Sequence, residues 1–237
     1  MAQIIAHRGS SRIHPENTAA AFVHAVESGA DALEVDIRRS ADNVLYCFHD
    51  NHLRRLTGHS GTVEKIESAV LDTLKVNGSE PPLRFDDFLK RFGNRAGIVL
   101  DVKSAGIEEL LLREIDANPP RRELIFSSFS ADILLRLARL RPGLRLAYII
   151  GPWRNLGWRS GISASLIARL QQLGCSAAHL QKRLARPESV AALHAAGLAV
   201  SVWTVDDPEA AAKLIAAGVD GIISNRPESL RSALSSS

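Results

Sequence analysis

Short runs of β-branched and other apolar residues alternate with longer alanine- and leucine-rich stretches along nearly the whole chain. That rhythm restricts the fold more than any other feature of the sequence. The short runs read as strands over 3–7, 32–37, 44–49, 97–103, 123–128, 144–150, 176–180, 198–204 and 221–224. Helical spacing fills most of the gaps, over 17–28, 84–91, 107–117, 131–140, 163–173, 187–196, 207–216 and 227–234. Gly29, Gly174, Gly197 and Gly218 follow four of these helices, where a C-terminal cap wants a positive φ.

One connection differs from the rest. Asp42-Asn43 leaves no room for a crossover helix before Val44 and predicts an antiparallel hairpin. Setting aside its return strand leaves eight strands separated by long connections, the pattern of an α/β chain closed into a (β/α)₈ TIM barrel. An open doubly wound sheet is the alternative, but no GxGxxG follows a strand. The 237 residues suit one such barrel, and with 46% hydrophobic residues they can bury a core without disulfides or structural metals. Cys47 and Cys175 have no CxxC spacing, which excludes a disulfide scaffold or a cysteine zinc site and leaves them as small core residues. A single domain over 1–237 is expected. The polar, turn-rich stretch 51–82, with Gly58, Gly61, Gly78 and Pro81-Pro82, forms a lid or excursion within it after the hairpin. The tail 232–237 is expected to fray.

The net charge of +3 comes from basic residues lying singly or in pairs, a solvated surface and not a nucleic-acid footprint. No apolar run approaches the ~20 residues of a membrane span, and the first residues lack the basic lead-in and apolar length of a signal peptide. The expectation is a cytoplasmic protein with a small-molecule substrate, no nucleic-acid partner and no stable membrane association. No patch in the sequence marks an oligomer interface.

In a β/α barrel the catalytic groups stand at the C-terminal ends of the strands. There the first strand ends in His7-Arg8-Gly9 and the second carries Glu34-Val35-Asp36. The hairpin's return strand ends in His49-Asp50, and the next parallel strand in Asp101-Val102-Lys103. Residues two apart on a strand share a face at a spacing of about 6.5–7 Å, so Glu34 and Asp36 project together. Asp101 and Lys103 repeat the arrangement on the neighbouring stave. Three carboxylates at one mouth repel unless a cation joins them, and all-oxygen ligands suit a hard divalent cation, Mg²⁺ or Ca²⁺. The other outcome is an interior salt-bridge network centred on Lys103. His7 and His49 beside this cluster supply an acid and a base matched to neutral pH. Arg8 and Lys103 supply the positive field a phosphodiester needs. Residue chemistry thus points to metal-assisted phosphodiester cleavage.

These residues resemble the glycerophosphodiester phosphodiesterase family. The resemblance runs through His7-Arg8-Gly9, Pro15-Glu16-Asn17-Thr18, Glu34-Val35-Asp36-Ile37 and Phe48-His49-Asp50 with Leu53 and Leu56-Thr57-Gly58. It continues through Asp101-Val102-Lys103, Ser127-Ser128-Phe129 and Val202-Trp203-Thr204-Val205, and ends on Gly218-Val219-Asp220-Gly221-Ile222-Ile223-Ser224-Asn225-Arg226-Pro227. Each stretch is unspecific alone; in this order, from residue 7 to 227, they are highly specific. The resemblance implies a barrel that hydrolyses glycerophosphodiesters to glycerol 3-phosphate and an alcohol. It assigns Glu34, Asp36 and Asp101 to the metal, His7 and His49 to acid–base catalysis, and Arg8 and Lys103 to the phosphate. It also makes 51–82 the small insertion that caps the site.

One departure stands out, because the family usually has glutamate where this chain has Asp101. Aspartate is shorter by about 1.5 Å, so the ligand reaches the metal through a water or the metal is displaced. Trp203 reads as a pocket wall for glycerol or the leaving alcohol, or as core packing. Asn17 or Thr18 reads as a helix cap, Asp50 as an orienting partner for His49, and His179 as a lone strand-end histidine. His14, His24, His52, His59 and His194 read as surface groups. Two rivals are a sphingomyelinase D-type phospholipase and a non-catalytic barrel that binds a phosphorylated metabolite.

Overall fold

The computed structural model describes residues 2–151 and 162–235. Nine strands make one sheet: β1 (Gln3–His7), β2 (Ala32–Arg39), β3 (Leu45–Cys47), β4 (Gly97–Val102), β5 (Leu124–Ser128), β6 (Leu146–Ile150), β7 (Ala177–Gln181), β8 (Ala199–Trp203) and β9 (Gly221–Ser224). Their order is β1-β9-β8-β7-β6-β5-β4-β2-β3, and β1 also pairs with β2, closing eight parallel strands into a barrel. β3 stands outside it, antiparallel to β2 with Ile37 opposite Cys47 and Arg39 opposite Leu45. Asn43 takes φ 66° in the connecting turn, the left-handed conformation that asparagine tolerates. The expected TIM barrel with its hairpin is therefore the fold. β3 is shorter than the expected 44–49, although the amide of Phe48 still bonds Asp36 of β2, and on its other side the amide of Cys47 bonds Leu83.

Two apolar layers explain why the strands read as unbroken hydrophobic runs. Ile5, Ala32, Val99, Ile125, Ala147, Ala177 and Ile223 face inward and fill the barrel. The alternate residues, among them Ile4, Leu33, Val35, Ile98 and Leu100, face the helices. On that outer side α1 (Ala19–Glu27) packs on α4 (Phe85–Phe92), where Phe22 meets Phe88 edge-on at 4.8 Å between ring centres and Phe92 at 5.6 Å.

The segment leaving β3 is folded, not loose. It carries two short helices, α2 (Arg54–Thr57) and α3 (Ser68–Leu71), and two 3₁₀ turns. A small separate core of Tyr46, Phe48, Leu53, Leu56, Val63, Leu71 and Val76 holds it together. Glu80 ties its far end to the start of α1 by accepting from the amide of Ala20 at 2.9 Å. The remaining helices are α5 (Glu108–Ala117), α6 (Ala131–Leu140), α7 (Ala164–Gln172), α8 (Pro187–Ala195), α9 (Pro208–Ala216) and α10 (Pro227–Ser235). Of the tail expected to fray, residues 232–235 continue α10 and residues 236–237 lie outside the described part. None of the described helices is long and apolar enough to cross a membrane.

Inward phase also locates the site. Ile5, Ala32 and Val99 point into the barrel, so His7, Glu34 and Asp101 do the same one step nearer the mouth. Phe22 sits where α1 packs on α4, and Phe22→Ala is expected to lower unfolding free energy by about 3–5 kcal/mol. Urea denaturation should show an earlier midpoint with an unchanged slope.

Candidate active site

The turn after β1 sets the geometry. Arg8 and Gly9 both take positive φ, 57° and 80°, so the chain reverses abruptly and Arg8 stays over the mouth. A Cβ on Gly9 would come within 2.6 Å of the Ala21 backbone, which makes glycine the residue that lets this turn lie against α1. The amide of Arg8 donates to Glu34 Oε2 at 3.0 Å. Its guanidinium reaches Asp36 Oδ2 through Nε at 3.0 Å and Glu16 Oε1 through Nη1 at 2.9 Å.

Glu34, Asp36 and Asp101 are all buried, and one oxygen from each lies within 4.8 Å of the others. Asp36 faces Asp101 across the β2–β4 pairing. Lys103 Nζ binds Asp36 Oδ1 at 3.0 Å and Asp101 Oδ2. Asn17, itself at φ 57°, donates from Nδ2 to Asp36 Oδ2 at 2.8 Å. These contacts split the three acids. Burial alone would raise Asp36, but Lys103 and Arg8 overcome it and hold its carboxyl far below the usual range. Burial and the charge of Asp36 push Glu34 well up. Burial also raises Asp101, against the pull of Lys103. Lys103 is kept protonated because Asp36 and Asp101 outweigh its own desolvation.

The two histidines differ in their partners. His7 Nδ1 lies 2.6 Å from Asn225 Oδ1. Asn225 spends its Nδ2 on Asp206 Oδ2 at 2.9 Å, so its oxygen faces His7 and the network assigns the imidazole proton to Nδ1. His7 Nε2 is left without a proton, 4.0 Å from Glu34 Oε2. Burial first, then Arg8, lowers the pKa of His7 to about 4. His49 Nδ1 instead lies 2.7 Å from the carboxylate of Asp50. Arg55 of α2 holds Asp50 at 2.5 Å and keeps its pKa near 2. Arg55 also grips both oxygens of Glu16, so α2, the first turn and His49 belong to one ion network. The His49 side chain is 33% exposed against 17% for His7, so His49 is the one at the solvent edge.

A cavity of about 320 Å³ opens between these groups. His7, Arg8, Glu34, His49, Asp101 and Lys103 line one side. Phe129, Ile149, His179, Trp203 and Ile223 line the other, with Ser127 between. Trp203 packs edge-on against Phe129 at 5.7 Å, which makes it a cavity wall. Asp36 alone of the expected site residues lies behind the lining, beneath Arg8 and Lys103. Several contributors were not legible as such. Asn17 clamps Asp36, while Thr18 alone caps α1 by accepting from the Ala21 amide. Asn225 and Asp206 orient His7; Glu16 and Arg55 tie Arg8 to Asp50. Asn17, Glu16 and Asn225 were signalled only by membership in the motif stretches, and Asp206 and Arg55 fall outside those stretches. Among the histidines expected at the surface, His14, His24 and His59 are half-buried, whereas His52 and His194 are exposed.

The donor set fits a hard divalent cation. Opposite oxygens on a Mg²⁺ or Ca²⁺ stand about 4–5 Å apart, and the three acids meet that spacing although Asp101 is the shorter side chain. Asp101 Oδ1 is buried with no hydrogen-bond partner among the described residues. Among the described residues the three carboxylates share two cations, Arg8 and Lys103, an imbalance that a divalent ion would relieve.

The model of the glycerophosphoryl diester phosphodiesterase family matches residues 7–229. A glycerophosphodiester phosphodiesterase of Caldanaerobacter subterraneus subsp. tengcongensis is 30% identical, over 96% of this chain and 95% of its own. Among solved structures, an Oleispira antarctica phosphodiesterase in complex with the product sn-glycerol-3-phosphate superposes with a TM-score of 0.89 at 28% identity, covering 98% of this chain and 96% of that one. A glycerophosphodiester phosphodiesterase from Agrobacterium tumefaciens gives 0.84 at 29% identity, covering 99% and 100%.

The first turn offers a direct test of this geometry. Gly9 and Gly143 share nearly the same φ, 80° and 88°, but an added Cβ meets nothing within 4 Å at Gly143. Gly143→Ala should cost about 1–2 kcal/mol in urea unfolding, the left-handed penalty alone. Gly9→Ala should cost at least about 1 kcal/mol more, because the clash with Ala21 adds to it, and activity should fall with Arg8 displaced.

Proposed function

Because this chain belongs to the glycerophosphoryl diester phosphodiesterase family and is a phosphoric diester hydrolase, we propose that it cleaves glycerophosphodiesters to glycerol 3-phosphate and an alcohol at the cavity above Glu34, Asp36 and Asp101. One observation carries the reading: three buried carboxylates, two cationic side chains and two differently partnered histidines converge on one cavity. The carboxylates would hold a divalent cation, Mg²⁺ or Ca²⁺, which when bound polarises the phosphoryl oxygens.

The protein's own groups take the remaining tasks. Arg8 and Lys103 hold the phosphodiester and meet the charge it gains at the transition state. His7, neutral and unprotonated at Nε2, accepts the proton of the attacking hydroxyl. That hydroxyl belongs to water or to the substrate's own middle carbon, the latter giving a cyclic phosphate first. As the new P–O bond forms, the bond to the alcohol breaks, and His49 gives its Nε2 proton to the departing alkoxide. Asp50 accepts the Nδ1–H of His49 and so orients the ring for this task, and Asn225 keeps the His7 proton on Nδ1. The leaving alcohol then lies at the more exposed side, where its head group can vary. The segment 51–82 caps that side through Arg55, within a single catalytic domain spanning 1–237. Two unpaired buried thiols, Cys47 and Cys175, suit work in the reducing cytoplasm.

Time-resolved ³¹P NMR on glycerophosphocholine and glycerophosphoethanolamine, with Mg²⁺ or Ca²⁺, should yield glycerol 3-phosphate, while sphingomyelin stays intact. Chelation by EDTA should abolish turnover. His7→Ala and His49→Ala should each lower kcat by about 10²–10⁴. A p-nitrophenyl diester, whose leaving group needs no proton, should recover most of the His49→Ala loss and little of the His7→Ala loss. Full activity after rigorous chelation, or in either variant with glycerophosphocholine, would overturn the reading.

A further inference from the structure

The far wall of the cavity carries one polar side chain that the reaction above leaves idle. β7 lies four strands from β2 in either direction around the closed barrel, so its inward residues stand diametrically opposite Glu34 and Asp36. Ala177 belongs to the inward apolar layer, and His179, two residues on in the same phase, lines the cavity. His179 is 2% exposed, and its Nε2 is buried with no hydrogen-bond partner among the described residues. Burial lowers its pKa to about 4, so near neutral pH the ring offers one N–H and one lone pair and no charge. A buried polar atom without a partner is costly to the folded protein, and native structures rarely keep one without use.

The surroundings narrow what that atom can meet. A phosphate belongs on the opposite side, with Arg8 and Lys103, and the leaving alcohol belongs at the solvent edge by His49. What remains for the deep wall is the glycerol. Phe129, Ile149 and Ile223 can pack against its carbons but cannot satisfy a hydroxyl, and the Trp203 indole N–H already donates to the carbonyl of His179 at 3.0 Å. Ser127, the other polar group on this side, already donates its hydroxyl to the carbonyl of Leu100 at 3.2 Å. The middle hydroxyl of the glycerol lies next to the phosphoester and the acid cluster. Only the terminal hydroxyl, farthest from phosphorus, extends across the barrel toward β7.

We propose that His179 is the specificity-determining residue for the glycerol moiety, its imidazole hydrogen-bonding the terminal hydroxyl remote from the phosphate. The assignment rests on glycerophosphodiesters being the substrates. It makes the enzyme a reader of the polyol and leaves the head group unread, because the polar contact sits on a buried wall and the leaving alcohol at the exposed edge by His49.

The test compares kcat/KM for glycerophosphocholine with that for the phosphocholine diester of propane-1,2-diol, which lacks only the terminal hydroxyl and keeps the middle one. Wild type should favour glycerophosphocholine by roughly 10- to 100-fold, the usual cost of leaving a buried partner unmet. In His179→Leu that preference should collapse to about twofold or less, with the propanediol diester cleaved near the wild-type rate. His179→Gln, which keeps a hydrogen-bonding group, should restore part of the preference. A wild-type preference below about threefold overturns the assignment without any variant. So does a His179→Leu enzyme that keeps the wild-type ratio or loses both substrates alike. Wild type inactive on both diesters would instead overturn the substrate reading, and this assignment with it.

Discussion

A carboxylate wholly out of water stays ionised only when cations and donors surround it, and the mouth of this barrel is built around one such group. Asp36 is gripped by Arg8 from the end of β1, Lys103 from just beyond β4 and Asn17 from the start of α1. Burial penalises its charge, and those partners more than offset the penalty. Each contact also fixes the partner. Arg8 and Lys103 are held at the cavity by the Asp36 anion, and Asn17, just before the first helix, is fixed by reaching back to it. Glu34 and Asp101, which receive less of this compensation, keep the unfavourable charge balance that a divalent ion would relieve.

The cavity is chemically two-sided for a topological reason. β1, β2 and β4 are neighbours in the barrel and end in the charged residues, whereas β5 to β9 turn mostly apolar or neutral groups inward at the same height. Field strength therefore falls from one wall to the other. An anionic ester has a single low-energy orientation in such a gradient, with phosphorus on the charged side and carbon on the other. The apolar floor of Ile5, Val99, Ile125 and Ile223 beneath both sides excludes water from below. That exclusion lets Arg8 and Lys103 act with more force than surface cations would.

Most of the fold was legible because the determinants are local. Strand and helix periods, glycine at helix ends and the Asp42-Asn43 turn act within a few residues, and together they led to a barrel with an outlying hairpin. The acids were legible for the same reason: Glu34 and Asp36, or Asp101 and Lys103, are two apart on one strand. What stayed hidden was set by contacts across the closed barrel. Asn17 reads as a helix cap, because asparagine at a helix start ordinarily is one, and only the proximity of β2 turns it toward Asp36. Asn225 and Asp206 lie more than two hundred and just under two hundred residues from His7, respectively, and no local pattern links them. His179 reads as an ordinary strand-end histidine until its depth and its unmet nitrogen are known.

The contact between His7 and Asn225 joins positions 218 residues apart. Strand β9, which carries the chain to Asn225, pairs with β1 and is the last stave to close the ring. A ribosome making this protein releases most of the charged groups early, within the first half of the sequence. His7 meets Asn225 only when that final stave arrives, since β9 carries the chain to it. An interrupted translation product therefore carries the acids and histidines with the His7 ring still lacking its Asn225 partner.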